Sequence, residues 1–183
     1  MRINLAIKDL FYSTDRLKRH IFSAGLMFAV FILTSQITQS ATEFWLTSAI
    51  PMYTLTYLEL FIQYNEFIRI LSGVADVIVP ILICSDIIQS KRRDIGIMKA
   101  IGTDPKILYS FYIYQLYIFI IISFILGLLI SSVLYLLTLG ALETMGFPMQ
   151  FYWEFIYTSL ILALSLATVW MVNGYQIRRI GRI

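Results

Sequence analysis

Side chains able to do chemistry are few and scattered in these 183 residues. His20 is the only histidine and Cys84 the only cysteine, so neither a cluster of metal ligands at His or Cys spacing nor an internal disulfide framework can be assembled. Ser123, Ser131 and Ser132 fall at helical spacing with no base near them in sequence, and small hydroxyl residues in apolar surroundings more often pack helices than attack substrates. Glu143 and Glu154 would form an acid pair only if the fold joined them. No catalytic residue can therefore be named, and the expectation is a chain that is not an enzyme. Arg69 and Asp76 carry more information. They stand seven residues apart, about two helical turns, and so share nearly one face of an apolar run. An ionisable group at membrane depth costs roughly 2.5 to 3.5 kcal/mol on insertion scales and faces protein or water. Asp76 is expected to line a substrate path, to bond across a subunit interface, or to be satisfied by Ser, Thr or Tyr on a neighbouring helix. Arg69 is expected to snorkel to the outer surface, and Asp86 to belong to the inner interface.

The elements that must position these groups follow from composition. The hydrophobic fraction is 59% and the charged fraction 14%, against roughly 45 to 50% and about 25% in soluble domains. The apolar residues fall in blocks long enough to span a hydrocarbon core of roughly 30 Å. The fold class is thus an all-α integral membrane protein with four transmembrane helices, in a single four-span domain. Residues 1–20 place Ile3, Ala6, Ile7, Leu10 and Phe11 on one face, as in an interfacial amphipathic helix. Their length, their two aspartates and the lack of a small-x-small site argue against a signal peptide. Span one covers 21–37. Residues 38–66 read as an outer loop rich in rings (Trp45, Tyr53, Tyr57, Tyr64), lying against the interface. Span two covers 67–89 with a kink expected at Pro80. A cytoplasmic segment takes 90–103, and span three 104–139, opened by Asp104 and Pro105. A second outer loop (140–152), span four (153–177) and a tail (178–183) complete the chain.

Lys and Arg set the orientation. Five precede span one, five lie in 91–106 and three in the tail, while the two intervening loops have none. That bias places both termini in the cytoplasm of a cell-membrane protein. The net charge of +3 comes from these flanks and not from a continuous basic face, so nucleic acid is not an expected partner.

The densest pattern runs from Ser90 to Gly102. Asp94 near the start and Lys99 near the end suit the dipole of a short helix, and Gly102 suits its left-handed stop. Ile95, Met98 and Ile101 recur on one side, an apolar ridge expected to face the cytosol and to need a partner groove. A basic loop solvated at the headgroups would account for Lys91, Arg92 and Arg93 but not for the ridge.

This segment resembles that of the MacB/FtsX/LolC-like (type VII) ABC transporter permeases, which carry [EQ]-R-[RK]-[RK]-E-I-G-[IV]-[LM]-[KR]-A-[LI]-G after their second span. Arg92, Arg93, Asp94, Ile95, Gly96, Ile97, Met98, Lys99, Ala100, Ile101 and Gly102 match it in order, with Asp94 in place of Glu. Gln115 stands where the family usually has Glu, and Gly127 fits its small-residue packing zone. The chain would be a compact form without the large extracellular domain many members insert after span one. The resemblance implies an ATPase-coupling helix at 92–102, docked on cytoplasmic ABC ATPase subunits that bind ATP and Mg, and a second permease chain, identical or related. No G-x-x-x-x-G-K-[ST] motif occurs in these residues, so nucleotide is expected on a separate chain and no cofactor on this one. The implied function is export or membrane extraction of a hydrophobic or amphipathic compound in contact with membrane lipid. The alternative is FtsX-like mechanotransmission or scaffolding toward an extracellular partner. Asp76, Arg69 and Gln115 are the intramembrane polar candidates.

Overall fold

The computed structural model describes residues 15–47, 52–144, 152 and 154–180. Among them the ordered elements are all helices: α1 (Asp15–Thr47), α2 (Met52–Ser90), α3 (Arg92–Ala100), α4 (Pro105–Thr144) and α5 (Phe155–Ile180). The four longer ones are each long and apolar enough to cross a membrane. Residues 1–14 of the expected interfacial helix lie outside the described residues, and Asp15 to His20 belong to α1. The tail boundary moves as well, because α5 continues to Ile180.

The largest departure from expectation is the loop at 38–66. Residues 38–47 continue α1, and 52–66 are the first turns of α2. Polarity there misleads because the hydroxyls are consumed locally: Thr34 donates to the Val30 carbonyl (2.9 Å), Thr38 to Thr34 (2.8 Å), Ser40 to Gln36 (3.0 Å) and Thr42 to Thr38 (2.8 Å). A Ser or Thr bonded to the carbonyl one turn back sits in a helix without presenting a free hydroxyl to apolar surroundings. Thr34, Ser35, Gln36, Thr38 and Ser40 are all buried between helices, so this polar run faces inward.

The four long helices form a ring in the order α1, α2, α5, α4, with α1 packed on α2 and α4, and α5 on α2 and α4. Two glycines set the α1–α4 approach. A methyl group at Gly127 would lie 2.7 Å from Phe28 Cβ and 2.8 Å from the Gly25 carbonyl oxygen, and one at Gly25 would lie 3.0 Å from the Ser123 carbonyl oxygen. Backbones this close give dispersion contact where lipid offers no hydrophobic drive to associate. Phe28 then packs edge-on against Phe124, with ring centroids 5.5 Å apart.

Pro80 lies inside α2, which runs through it from Met52 to Ser90. Proline has no N–H for the carbonyl four residues back, here that of Asp76. Ser165 of α5 supplies the missing donor, its hydroxyl 3.0 Å from that carbonyl oxygen. A carbonyl freed within a membrane helix needs such a replacement, since no water is at hand.

Charged contacts mark two levels of the bundle. At the α3 end His20 Nε2 of α1 lies 3.5 Å from Asp86 Oδ2 of α2. At the opposite end Arg69 of α2 meets Glu154, just before α5, at 3.8 Å. Asp86 and Arg69 are 17 residues apart in one helix, about 26 Å at ~1.5 Å per residue, close to the roughly 30 Å of a hydrocarbon core. α2 has 39 residues and α4 has 40, so both continue past that core.

Candidate functional site

The short helix α3 is fixed to the end of the bundle by one side chain. Ile95 is fully buried in the core formed by the long helices. The expected ridge of Ile95, Met98 and Ile101 is therefore corrected: Ile95 points into the protein. The exposed apolar face is made by Ile97, Met98 and Ile101, which are 49%, 36% and 79% exposed. Asp94 shares that face, at the i, i+3, i+4, i+7 positions of a helix. The phase error arose because a nine-residue helix offers apolar residues on more than one side, and spacing alone does not tell which side meets the bundle. Ile97 lies within the motif but outside the expected ridge; its position one turn before Ile101 is the sequence signal that puts it on this face.

Gly102, at φ 87°, ends the helix in the left-handed region. The Gly102 N–H donates to the Lys99 carbonyl (2.9 Å) and the Thr103 N–H to that of Met98 (3.1 Å), the bond pair of a Schellman stop. Asp104 then caps α4, its carboxylate oxygen accepting from the Lys106 N–H at 2.9 Å. Asp94 in the first turn and Lys99 in the last offset the dipole of α3. Arg92, Arg93, Gly96 and Ala100 are exposed, and nothing lies within 4 Å of a methyl group built on Gly96. The chain's own packing gives no reason for a glycine there.

Asp76 is wholly enclosed by its own bundle, and neither carboxylate oxygen has a hydrogen-bond partner among the described residues. Satisfaction of the carboxyl group by a neighbouring hydroxyl is not seen among the described residues, since Ser165 meets the Asp76 backbone carbonyl and not its carboxyl group. Gln115 of α4 is likewise buried. Nearer α3, Ser85 donates to Asn173 Oδ1 (3.0 Å) and accepts from Gln176 Nε2 (3.0 Å), tying α2 to α5.

The Arg69 side chain is 16% exposed and is held by named partners. Its Nη2 lies 2.8 Å and 2.7 Å from the two oxygens of Glu66, its Nη1 3.8 Å from Glu154, and its guanidinium 4.5 Å over the Tyr157 ring. Two carboxyl groups thus share one cation. Burial pushes the Glu154 carboxyl above the usual range, Arg69 pulls it down, and Glu66 adds to the rise. Glu143, the other member of the imagined acid pair, is not part of this cluster. Between α2 and α5, a groove of about 480 Å³ descends from Arg69 and Tyr157 along an almost entirely apolar wall.

A family model described as FtsX-like permease C-terminal matches residues 67–181, from Phe67 of α2 through α3, α4 and α5. It covers well over half of the chain, and the chain belongs to the FtsX-like permease family. No curated protein and no solved structure gives a match.

Proposed function

We propose that this chain is the membrane subunit of an ABC transporter, coupled through α3 to a separate cytoplasmic ATPase that binds ATP and Mg. The α3 end lies in the cytoplasm with both termini, and the chain itself catalyses no reaction. One observation carries the reading: α3 is locked to the bundle by Ile95 and by its Schellman stop, yet turns Ile97, Met98 and Ile101 outward with no cover among the described residues. A rigid apolar face on a short helix is a surface for insertion into a groove. Force applied there reaches α2, α4 and α5, which α3 touches. The transported compound is hydrophobic or amphipathic, in keeping with an apolar groove that opens between α2 and α5. A second permease chain packs on the lipid-facing side of the bundle.

A second reading, in which ATP-driven movement reaches an extracellular partner and nothing crosses, draws support from helix length. α2 and α4 continue beyond the level of Arg69 and Glu154 as rods able to carry motion outward. Crosslinking in membranes that contain the co-expressed ATPase tests the shared part of both readings. Crosslinks should concentrate on Arg92 to Gly102. Crosslinks from this segment to headgroups alone, with no ATPase recovered under mild extraction, would overturn it.

A further inference from the structure

At the end of the bundle opposite α3, the charges do not balance. Arg69 of α2 is closely paired with Glu66 one turn away, at 2.8 Å and 2.7 Å to its two oxygens. Glu154, immediately before α5, reaches the same guanidinium only through Oε1, at 3.8 Å. Its side chain is 10% exposed, and its Oε2 is buried with no hydrogen-bond partner among the described residues. Two ionised carboxyl groups on one guanidinium leave a negative charge over, since arginine keeps its own charge. That excess falls to Glu154, the member with the longer contact and the buried oxygen. A buried carboxylate without full compensation holds a proton more readily than an exposed one. Burial accordingly raises the Glu154 carboxyl above the usual range, against the pull of Arg69 and with the push of Glu66. The other polar neighbours bring hydroxyls and no formal charge. Tyr157 lies under the guanidinium at 4.5 Å. Tyr135 of α4 accepts from the Tyr152 N–H at 3.2 Å, two residues before Glu154, and its hydroxyl meets Ser40 of α1.

We propose that Glu154 is a proton-binding site that sets how firmly the start of α5 is held on α2. With its proton, the neutral carboxyl group stays buried beside the Glu66–Arg69 pair. Ionised, it is drawn toward water, and the start of α5 loosens from α2. Linkage gives the direction: a carboxyl group raised in the fold contributes most to stability below its unfolded pKa, and that contribution is lost as pH rises through the folded value. Acid therefore tightens this end of the bundle. The inference goes beyond the coupling reading and does not depend on it, because the permease is measured without ATPase.

The full chain in phosphatidylcholine vesicles is titrated by infrared difference spectroscopy from about pH 4 to about pH 8, a range that begins near the ordinary carboxyl values. Glutamate labelled with ¹³C at its side-chain carboxyl separates these bands from those of Asp76 and the other aspartates. The unaltered chain should show one glutamate that keeps its proton above the usual range, and Glu154→Gln should remove that band. Glu66→Gln frees Arg69 for Glu154 and should shift the midpoint down. Spin labels at Ile70 of α2 and Leu160 of α5, both on the groove between these helices, should move apart as the band disappears and keep a fixed separation in Glu154→Gln. Loss of every glutamate proton within the usual range would overturn the proposal, and needs no variant to fold. So would a midpoint unmoved by Glu66→Gln, or a separation that follows pH equally in Glu154→Gln.

Discussion

Replacing Ser165 by alanine should cost the bundle one hydrogen bond, and the size of that cost should depend on a residue in another helix. The Ser165 hydroxyl lies 3.0 Å from the Asp76 carbonyl oxygen, which has no intrahelical donor because residue 80 is proline. With Ser165→Ala that carbonyl is left in apolar surroundings. Interhelical hydrogen bonds in membranes average about 0.6 kcal/mol and reach about 1.7 kcal/mol, and an unsatisfied buried acceptor costs about 1 to 3 kcal/mol. A loss of about 1 to 2 kcal/mol is therefore expected. Pro80→Ala restores an N–H at the right place in α2, so in that background Ser165→Ala should cost less than about 0.5 kcal/mol, a coupling within reach of a double-mutant cycle. Reversible unfolding in bicelles, measured for the four proteins, gives the comparison. An equal cost of Ser165→Ala in both backgrounds would mean that the hydroxyl contributes through packing and that the proline is not its reason for being there.

Ile95→Ala should destabilise the junction of α3 with the bundle by about 2 to 5 kcal/mol, seen as faster proteolysis between Lys91 and Lys106, whereas Ile101→Ala should leave that cleavage rate unchanged. Asp76→Leu should raise the unfolding free energy by about 1 kcal/mol or more, because it removes a buried carboxyl group with no partner among the described residues; a lower stability would show that Asp76 has a partner. Gly127→Ala should lower stability by about 1 to 3 kcal/mol, since its methyl group would come within 2.7 Å of Phe28 Cβ, while Gly96→Ala should leave it unchanged in the permease alone. Cysteines at Ser48 and Thr144 should react with a membrane-impermeant thiol reagent from outside, and those at Ser13 and Arg182 only after permeabilisation; labelling of Arg182 from outside would invert the topology.

Spans were legible wherever an apolar run left the chain no alternative to a membrane helix. Their far ends were not. Residues 38–47 and 52–66 carry the Ser, Thr, Gln and Tyr content of a loop, yet they are helical because Thr38, Ser40 and Thr42 bond within their own helix and Ser40 meets Tyr135 of α4. Self-satisfaction of that kind leaves no trace in composition. The short helix α3 and its stop at Gly102 could be read from Asp94, Lys99 and the glycine, because caps and dipole partners act locally. Which of its apolar residues faces the bundle depends on how α3 meets α2, α4 and α5, a tertiary fact. Arg69 shows the same limit. Its depth was readable from its place in span two, but its partners Glu154 and Tyr157 lie some 85 residues away in sequence.

The coupling role of α3 is tested most directly by retention of the ATPase on the purified permease. Met98→Glu and Ile101→Glu each put an unpaired carboxylate on the exposed face of α3 without touching Ile95. Co-expressed with its ATPase and extracted in mild detergent, each variant should be inserted at normal abundance yet lose most of the bound ATPase and of the reconstituted ATPase activity. Arg92→Ala, at the rim, should cause a smaller loss that grows with salt. Normal retention and activity in both glutamate variants would contradict the account, because the one face that α3 holds outward would then have nothing to dock.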